Sequence, residues 1–276
     1  MHKNGKVAVI TAFSTIALST VFDLIVGLDQ RVLTGVSNVF IFGAIIYVSY
    51  VLKNDTLEVV WRSSLLASGF AIGVKLCSSS IFGSYLSILC FFHFTEYITT
   101  SMIRPQQLTI DSFLLNHSQA YAIAAAASWL EFLIELYLLP GLKNLRIISN
   151  TGVAICLVGE IIRKGAMLTA WSNFDHLVRF EKEDDHQLVS HGIYNWCRHP
   201  SYVGWFYWSI GTQIILCNPI CTILYAMASW KFFNQRVYEE EITLCNFFGQ
   251  QYTAYQKRVS TGLPFIEGYV PVNFQQ

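Results

Sequence analysis

The sequence predicts an all-α, polytopic membrane protein of about eight transmembrane helices, with a helical hairpin at 201–233 and a small cytosolic part. Three observations predict this. Only 13% of the 276 residues are charged and 53% are hydrophobic, whereas a soluble domain carries about 25% charge. Mean hydropathy is +0.43. The apolar residues also gather into runs of the length a bilayer core requires, about 20 residues in a helix. Lys+Arg and Asp+Glu are equal at 18 each, so no bulk charge points to nucleic acid or to a general anionic surface.

The first run, Val7–Gly27, follows Lys3 and Lys6. It exceeds the roughly 7–15 apolar residues of a cleaved signal and reads as a retained span. Val32–Leu52, Ser63–Phe82, Gly83–Ile103, Gln119–Leu139 and Ile147–Trp171 follow. Pro200–Trp230 is too long for one span. Asn218-Pro219 is a turn signal that divides it into Ser201–Cys217 and Ile220–Phe233, a hairpin of two short helices; a single kinked helix is the alternative. With the N-terminus in the cytosol, most Lys and Arg fall in cytosolic pieces, against Arg31, Lys143 and Arg146 in lumenal ones. The positive-inside rule then places both termini in the cytosol. Residues 1–171 form the membrane scaffold, and 172–276 hold a polar loop, the hairpin and a tail.

The seven cysteines are scattered, most of them within or beside apolar runs. None has zinc-ligand spacing, and they read as reduced core thiols. No Gly-x-Gly-x-x-Gly follows a strand pattern, so no dinucleotide-binding sheet is expected.

Ionisable groups at membrane depth cost at least about 2.5–3.5 kcal/mol each unless paired or hydrated. Asp23, Lys75, His93 and Glu96 read as structural hydrogen-bonding or snorkelling groups. Glu131 and Glu135 share a helix face, where they repel, share a proton or share a partner arginine. Glu160 precedes Arg163 and Lys164 at i+3 and i+4. Arg163 lies near the cytosolic end of its span and is a candidate catalytic group that would hold a carboxylate; a structural pair with Glu160 is the alternative.

The densest chemistry lies in Arg198-His199-Pro200-Ser201-Tyr202-Val203-Gly204. Pro200 at a first helical position directs a helix N-terminus at the preceding loop, where it stabilises a carboxylate or a hydroxyl lone pair. Tyr194, Trp196, Tyr202, Trp205 and Trp208 cluster here. An interfacial aromatic belt explains part of that, and aromatic faces also hold a cation such as a sulfonium. Upstream, His186-Gln187-Leu188-Val189 suits extended backbone bonding to an adenine or amino-acid group. His186 and His191 lack a third metal ligand, so no metal is expected. Downstream, Arg236 and Glu240 share a face at i, i+4. Thr261-Gly262-Leu263-Pro264-Phe265 reads as a loop that docks back on the membrane.

The stretch GIYNWCRHPSYVGWFYWSIGTQIILCNP (192–219) resembles the protein-S-isoprenylcysteine O-methyltransferase family. Glu239-Glu240-Glu241, Phe247-Phe248-Gly249, Tyr252 and Thr261–Phe265 match too. The resemblance is strong over roughly the last hundred residues and loose over the first half. The shorter pattern RHPxYxG with a later glutamate pair also occurs in phospholipid methyltransferases and sterol reductases.

The resemblance implies an endoplasmic reticulum membrane enzyme that moves a methyl group from S-adenosylmethionine to the C-terminal carboxylate of a prenylated cysteine in CaaX-type proteins. S-adenosylhomocysteine would be the product. It also implies cofactor contacts at His186, Gln187, Leu188, Val189, Tyr194, His199, Pro200, Ser201, Tyr202 and Glu240. A further cofactor contact falls at Arg179, where vertebrate members carry glutamine. Arg236 would bind the substrate carboxylate and, with Glu240, act catalytically. A lipid amine methyltransferase is the nearest rival, but Arg236 favours an anionic acceptor. An NADPH-dependent sterol reductase would need phosphate-binding cations where this tail is acidic, and a membrane scaffold would leave the clustered polar residues without a role.

Overall fold

A computed structural model describes residues 2–25, 55–115, 119–184 and 186–271. The expected span Val32–Leu52 lies outside the described residues, as does the side chain of Asp23. The described helices are α1 (Lys3–Ile25), α2 (Asp55–Leu76), α3 (Ile81–Ile103), α4 (Gln119–Leu138), α5 (Arg146–Ala170), α6 (Pro200–Ile215), α7 (Pro219–Phe248) and α8 (Gln250–Arg258). No strand occurs among the described residues. Three of these helices, α2, α3 and α4, are long and apolar enough to cross a membrane. α6 has 16 residues, shorter than a full span.

The chain divides into two compact units, Met1–Ile123 and Ala124–Gln276. In the first, α2 packs on α3 through small residues. A Cβ on Gly73 or Gly83 would meet the backbone of the facing helix within 2.8 Å, so glycine permits an approach that any other residue would block. Tyr97 stacks on Phe113, with centroids 3.9 Å apart, and His93 lies 2.9 Å from the Phe113 carbonyl. The expected third span is corrected here: the helix ends at Leu76 rather than Phe82. Ser80 caps the next helix, its Oγ accepting from Phe82 N–H at 3.2 Å, and a capping serine starts a helix where simple hydropathy would continue one.

In the second unit α5 packs on α6 through a matched pair of glycine ridges. Gly159 faces Gly204, and Gly152 and Gly211 lie one heptad away on either helix. A Cβ on Gly204 would sit 2.4 Å from the Gly159 carbonyl oxygen. The hairpin forms: α7 returns along α6, with Ser209 Oγ and Ser229 Oγ 3.0 Å apart. Its second arm does not stop near residue 233 but runs on for 30 residues to Phe248.

The turn of the hairpin is capped by charge. Lys143 Nζ donates to the carbonyls of Leu216 (2.9 Å) and Cys217 (3.0 Å), to Asn218 Oδ1 (2.8 Å) and to Glu135 (2.6 Å). Glu131 accepts from Ile220 and Cys221 N–H, both at 2.7 Å. A cation thus meets the carbonyl end of α6 and an anion the amide end of α7, the signs that helix dipoles favour. Glu131 and Glu135 therefore share neither a proton nor an arginine; one takes a helix end and the other a lysine. All seven cysteines are free thiols.

Candidate functional site

The other end of the hairpin opens into a cleft of about 840 Å³, counted to its open mouth. Its floor is the start of α6. Pro200 begins that helix because its fixed φ suits the first turn and its missing N–H is not needed there. One wall is the segment 170–194, and the opposite wall is the last turns of α7 together with α8. Lys182 ties the two walls, donating to the Phe247 carbonyl at 3.1 Å with its ammonium 4.8 Å from the Phe248 ring. His186 packs edge-on against Phe247 and Phe248, at 5.7 and 5.2 Å.

Arg179, His186, Gln187, Leu188, Val189, Tyr194, His199, Pro200, Ser201, Tyr202 and Glu240 all line this cleft. Tertiary folding thus gathers residues that the chain spreads over more than sixty positions. Arg236 stands beside it. Its Nε donates to the Tyr202 hydroxyl at 3.2 Å, and its Nη2 donates to the His176 carbonyl at 2.7 Å. The Tyr202 hydroxyl in turn donates to Glu240 Oε2 at 2.5 Å. Arg236 and Glu240 are therefore joined through a phenol. Arg163 lies outside the cleft lining: it is buried on α5, donates to Ser201 Oγ at 2.8 Å and stands 4.7 Å over the Trp205 ring. Lys164 pairs with Glu160 at 3.2 Å.

Sequence reasoning missed the group that organises this end. Glu241 is fully buried and accepts from Arg198 Nε (2.7 Å), His199 Nε2 (3.1 Å), the Tyr252 hydroxyl (3.0 Å), Gln256 Nε2 (3.1 Å) and Tyr269 N–H (2.8 Å). Arg198 also donates to the carbonyls of Val259, Gln256 and Glu267. Burial alone would raise the Glu241 pKa. The hydrogen bond and charge of His199, then the charge of Arg198, outweigh it and hold the carboxyl below its ordinary 4.5. Burial, reinforced by the Glu241 charge, pushes the Tyr252 phenol well above its ordinary value.

A carboxylate only accepts, so Nε2 of His199 carries the proton. Nδ1 is then turned to the Glu240 side, 3.8 Å from Oε2. The His199 ring stacks on Tyr202 with centroids 5.5 Å apart. One signal could have revealed this hub: three consecutive glutamates span about 200° of a helix surface, so a helix packed over a wide face turns one of them inward.

The electrostatics suit a ligand with both charged and polar ends. Arg179 is held from two sides, Nε to Asp175 at 3.1 Å and Nη1 to Glu183 at 2.9 Å. Its Nη2 is buried with no hydrogen-bond partner among the described residues. A buried donor left unmade costs about 1–3 kcal/mol, which an acceptor on a ligand would recover. Glu240 offers a carboxylate 29% exposed, fit for an ammonium. Tyr194, Tyr202, Phe247 and Phe248 supply apolar walls.

Comparison with known proteins agrees with these observations. The sequence profile of the isoprenylcysteine carboxyl methyltransferase family matches residues 152–246. The chain is 58% identical over 189 residues to the protein-S-isoprenylcysteine O-methyltransferase of Tribolium castaneum, covering 68% of this chain and 67% of that one. To the Xenopus laevis protein of the same name it is 52% identical over 220 residues, covering 78% and 76%. Its fold is similar to the solved structure of a eukaryotic intramembrane Ras methyltransferase, isoprenylcysteine carboxyl methyltransferase, with a TM-score of 0.89 and 42% identity over 98% of this chain and 100% of the other.

Proposed function

We propose, from the premise that this chain belongs to the isoprenylcysteine carboxyl methyltransferase family and is a membrane methyltransferase, that it methylates the C-terminal prenylcysteine carboxylate of CaaX-type proteins with S-adenosylmethionine as donor. The observation that carries this reading is the Arg236–Tyr202–Glu240 chain of hydrogen bonds at the edge of the cleft. It sets a cation for an anionic acceptor beside a carboxylate for a cationic donor.

Bound S-adenosylmethionine would supply an electrophilic methyl on a sulfonium. Arg179, His186, Gln187, Leu188, Val189, Tyr194, His199, Pro200, Ser201, Tyr202 and Glu240 would hold it, with Arg179 Nη2 offering a donor that has no partner among the described residues and Glu240 a charge for its ammonium. An acceptor carboxylate is already ionised at pH 7, so no side chain has to remove a proton. The work of the protein is positioning. Arg236 would turn from the His176 carbonyl toward the acceptor, while the Tyr202 hydroxyl keeps its Nε in place. Reacting atoms must come within about 3–3.5 Å. Opposite charges are neutralised as the methyl moves, so excluding water favours the step. Buried Phe174, His199, Ser201, Tyr252 and Tyr255 help to exclude it. Arg163 would act on the carboxylate only through Ser201 and Trp205, as a positioning residue beneath α6. The lipid tail of the acceptor requires an apolar path between helices that is open to the bilayer.

We place the enzyme in the endoplasmic reticulum membrane, as the family resemblance implies, with both termini cytosolic, an orientation that the Lys and Arg distribution supports. The test of function is transfer of radiolabelled methyl from S-adenosylmethionine to N-acetyl-S-farnesylcysteine by the purified chain. Incorporation as a base-labile ester is expected. No incorporation beside an active control enzyme overturns the proposal, and labelling of phosphatidylethanolamine instead would transfer it to the lipid amine rival.

A further inference from the structure

The large apolar side chain most exposed among the described residues is neither on a spanning helix nor in the cleft. It is Phe265, 93% exposed, at the tip of the segment that follows α8. Its backbone is also unusual: φ is +59°, a left-handed conformation that bulky residues rarely adopt. An exposed phenyl ring on a strained backbone is doubly unfavourable in water, and the fold does not offset it by burying the ring.

The tip is nonetheless rigidly built. Leu263 and Ile266, on either side, are buried in a cluster with Val203, Phe206, Phe233 and Val237. The Thr261 hydroxyl donates to the Ile266 carbonyl at 2.5 Å. Gly262, at φ +88°, fits where a Cβ would lie 2.5 Å from Cys197 Cβ. The chain between buried neighbours is thus held so that it projects the ring outward.

Position then identifies what the ring meets. The Pro264 carbonyl accepts from Trp230 Nε1 at 2.9 Å. Trp230 is on α7, which exposes Ile220, Ile223, Leu224 and Met227 along one side. Positions 220, 223, 224 and 227 repeat at helical spacing, and in a membrane protein such an apolar stripe faces lipid. Indole rings with one polar partner concentrate at the membrane–water boundary, and here the partner is the tip itself. Phe265 is thus tied, through the Pro264 carbonyl, to the helix that carries this apolar stripe.

We propose that Phe265 is a built-in membrane anchor, inserted at the boundary between headgroups and acyl chains beside Trp230. The occupant of this surface is the bilayer. The same segment reaches the site directly, since Arg198 N–H donates to the Ser260 carbonyl at 2.8 Å and His199 N–H to the Thr261 carbonyl at 3.3 Å. Insertion of the tip would thus fix the depth at which the Arg198–Tyr202 stretch meets the membrane surface. The anchor rests on the membrane character of the chain and not on the reaction it catalyses.

The experiment places 4-fluorophenylalanine at position 265 of the full chain in phosphatidylcholine nanodiscs and reads its fluorine line width, a near-isosteric change that leaves folding intact. A nitroxide at the fifth acyl carbon of the lipid is expected to broaden the signal several-fold more than a water-soluble gadolinium chelate does. Dominant broadening by the chelate would place the ring in water and overturn the proposal. A signal reached by neither reagent would place it against protein, such as a second copy of this chain, and overturn it equally.

Discussion

The two ends of the α6–α7 hairpin use the same kinds of residue to opposite effect. At the turn, Lys143, Glu131, Glu135 and Asn218 form a closed set: Lys143 is met by four acceptors, Glu131 by two backbone donors, and Asn218 Nδ2 by the Ser128 carbonyl at 2.8 Å. At the mouth, Arg179 keeps a buried donor without a partner among the described residues, and Arg236 spends one donor on a loop carbonyl. Closed charge networks specify and stabilise a fold, whereas open ones bind. The contrast also separates two glutamates within the mouth. Glu241 has five donors and no room for a ligand, while its neighbour Glu240 is part-exposed and faces the cleft.

The largest effect should come from Arg236→Ala, which is expected to lower kcat/KM for methyl transfer at least about 100-fold, the scale of losing a preorganised electrostatic donor. Melting temperature should hardly change. Near-normal turnover would remove Arg236 from the site and blur the distinction between the ends. Lys143→Met should do the reverse: breaking a buried pair costs about 3–5 kcal/mol. Thermal unfolding in detergent should therefore shift strongly downward while activity per folded molecule persists, and a primary loss of turnover would show that the turn participates in catalysis.

A smaller loss is expected from Glu131→Gln, about 0.5–2 kcal/mol, because the amide still accepts from one helix-end N–H but no longer carries charge. Unfolding measurements on the single variant, and on the double with Lys143→Met, would show whether the two caps act independently. The smallest effect is a pH dependence. Glu241 has a folded pKa below its ordinary 4.5, so its contribution to stability is complete above pH 4.5 and is lost as pH falls through the folded value. Glu241→Gln should flatten the acid limb of the stability curve. An unchanged limb would deny Glu241 its place as the ionised hub.

The helical character, the hairpin break and the polar Arg198–Gly204 stretch were legible for local reasons, whereas the full set of cleft residues, Arg179 included, came from the family resemblance. Asn218-Pro219 ends a helix by its own stereochemistry, and Arg198–Gly204 concentrates polar groups where hydropathy alone would place none. What was not legible depended on partners far along the chain. Glu131 and Glu135 could be seen to share a face, but their partners are Ile220, Cys221 and Lys143. Helix ends were misjudged at residues 77–82, since apolar content does not register a serine cap. The glycines at 152, 159, 204 and 211 display their spacing openly, yet only a facing helix gives the spacing meaning.

By itself, then, the sequence determined a membrane-embedded helical chain, a break at Asn218-Pro219 and the pool of side chains from which a site could be drawn, because hydropathy, turn chemistry and residue type act over a few neighbouring residues. Only the tertiary structure decided which of three adjacent glutamates is a buried hub and which opens to a ligand, and that Tyr202 lies between Arg236 and Glu240. Those outcomes turn on distances of 2.5–3.2 Å between segments more than thirty residues apart, and such distances are set by how helices pack.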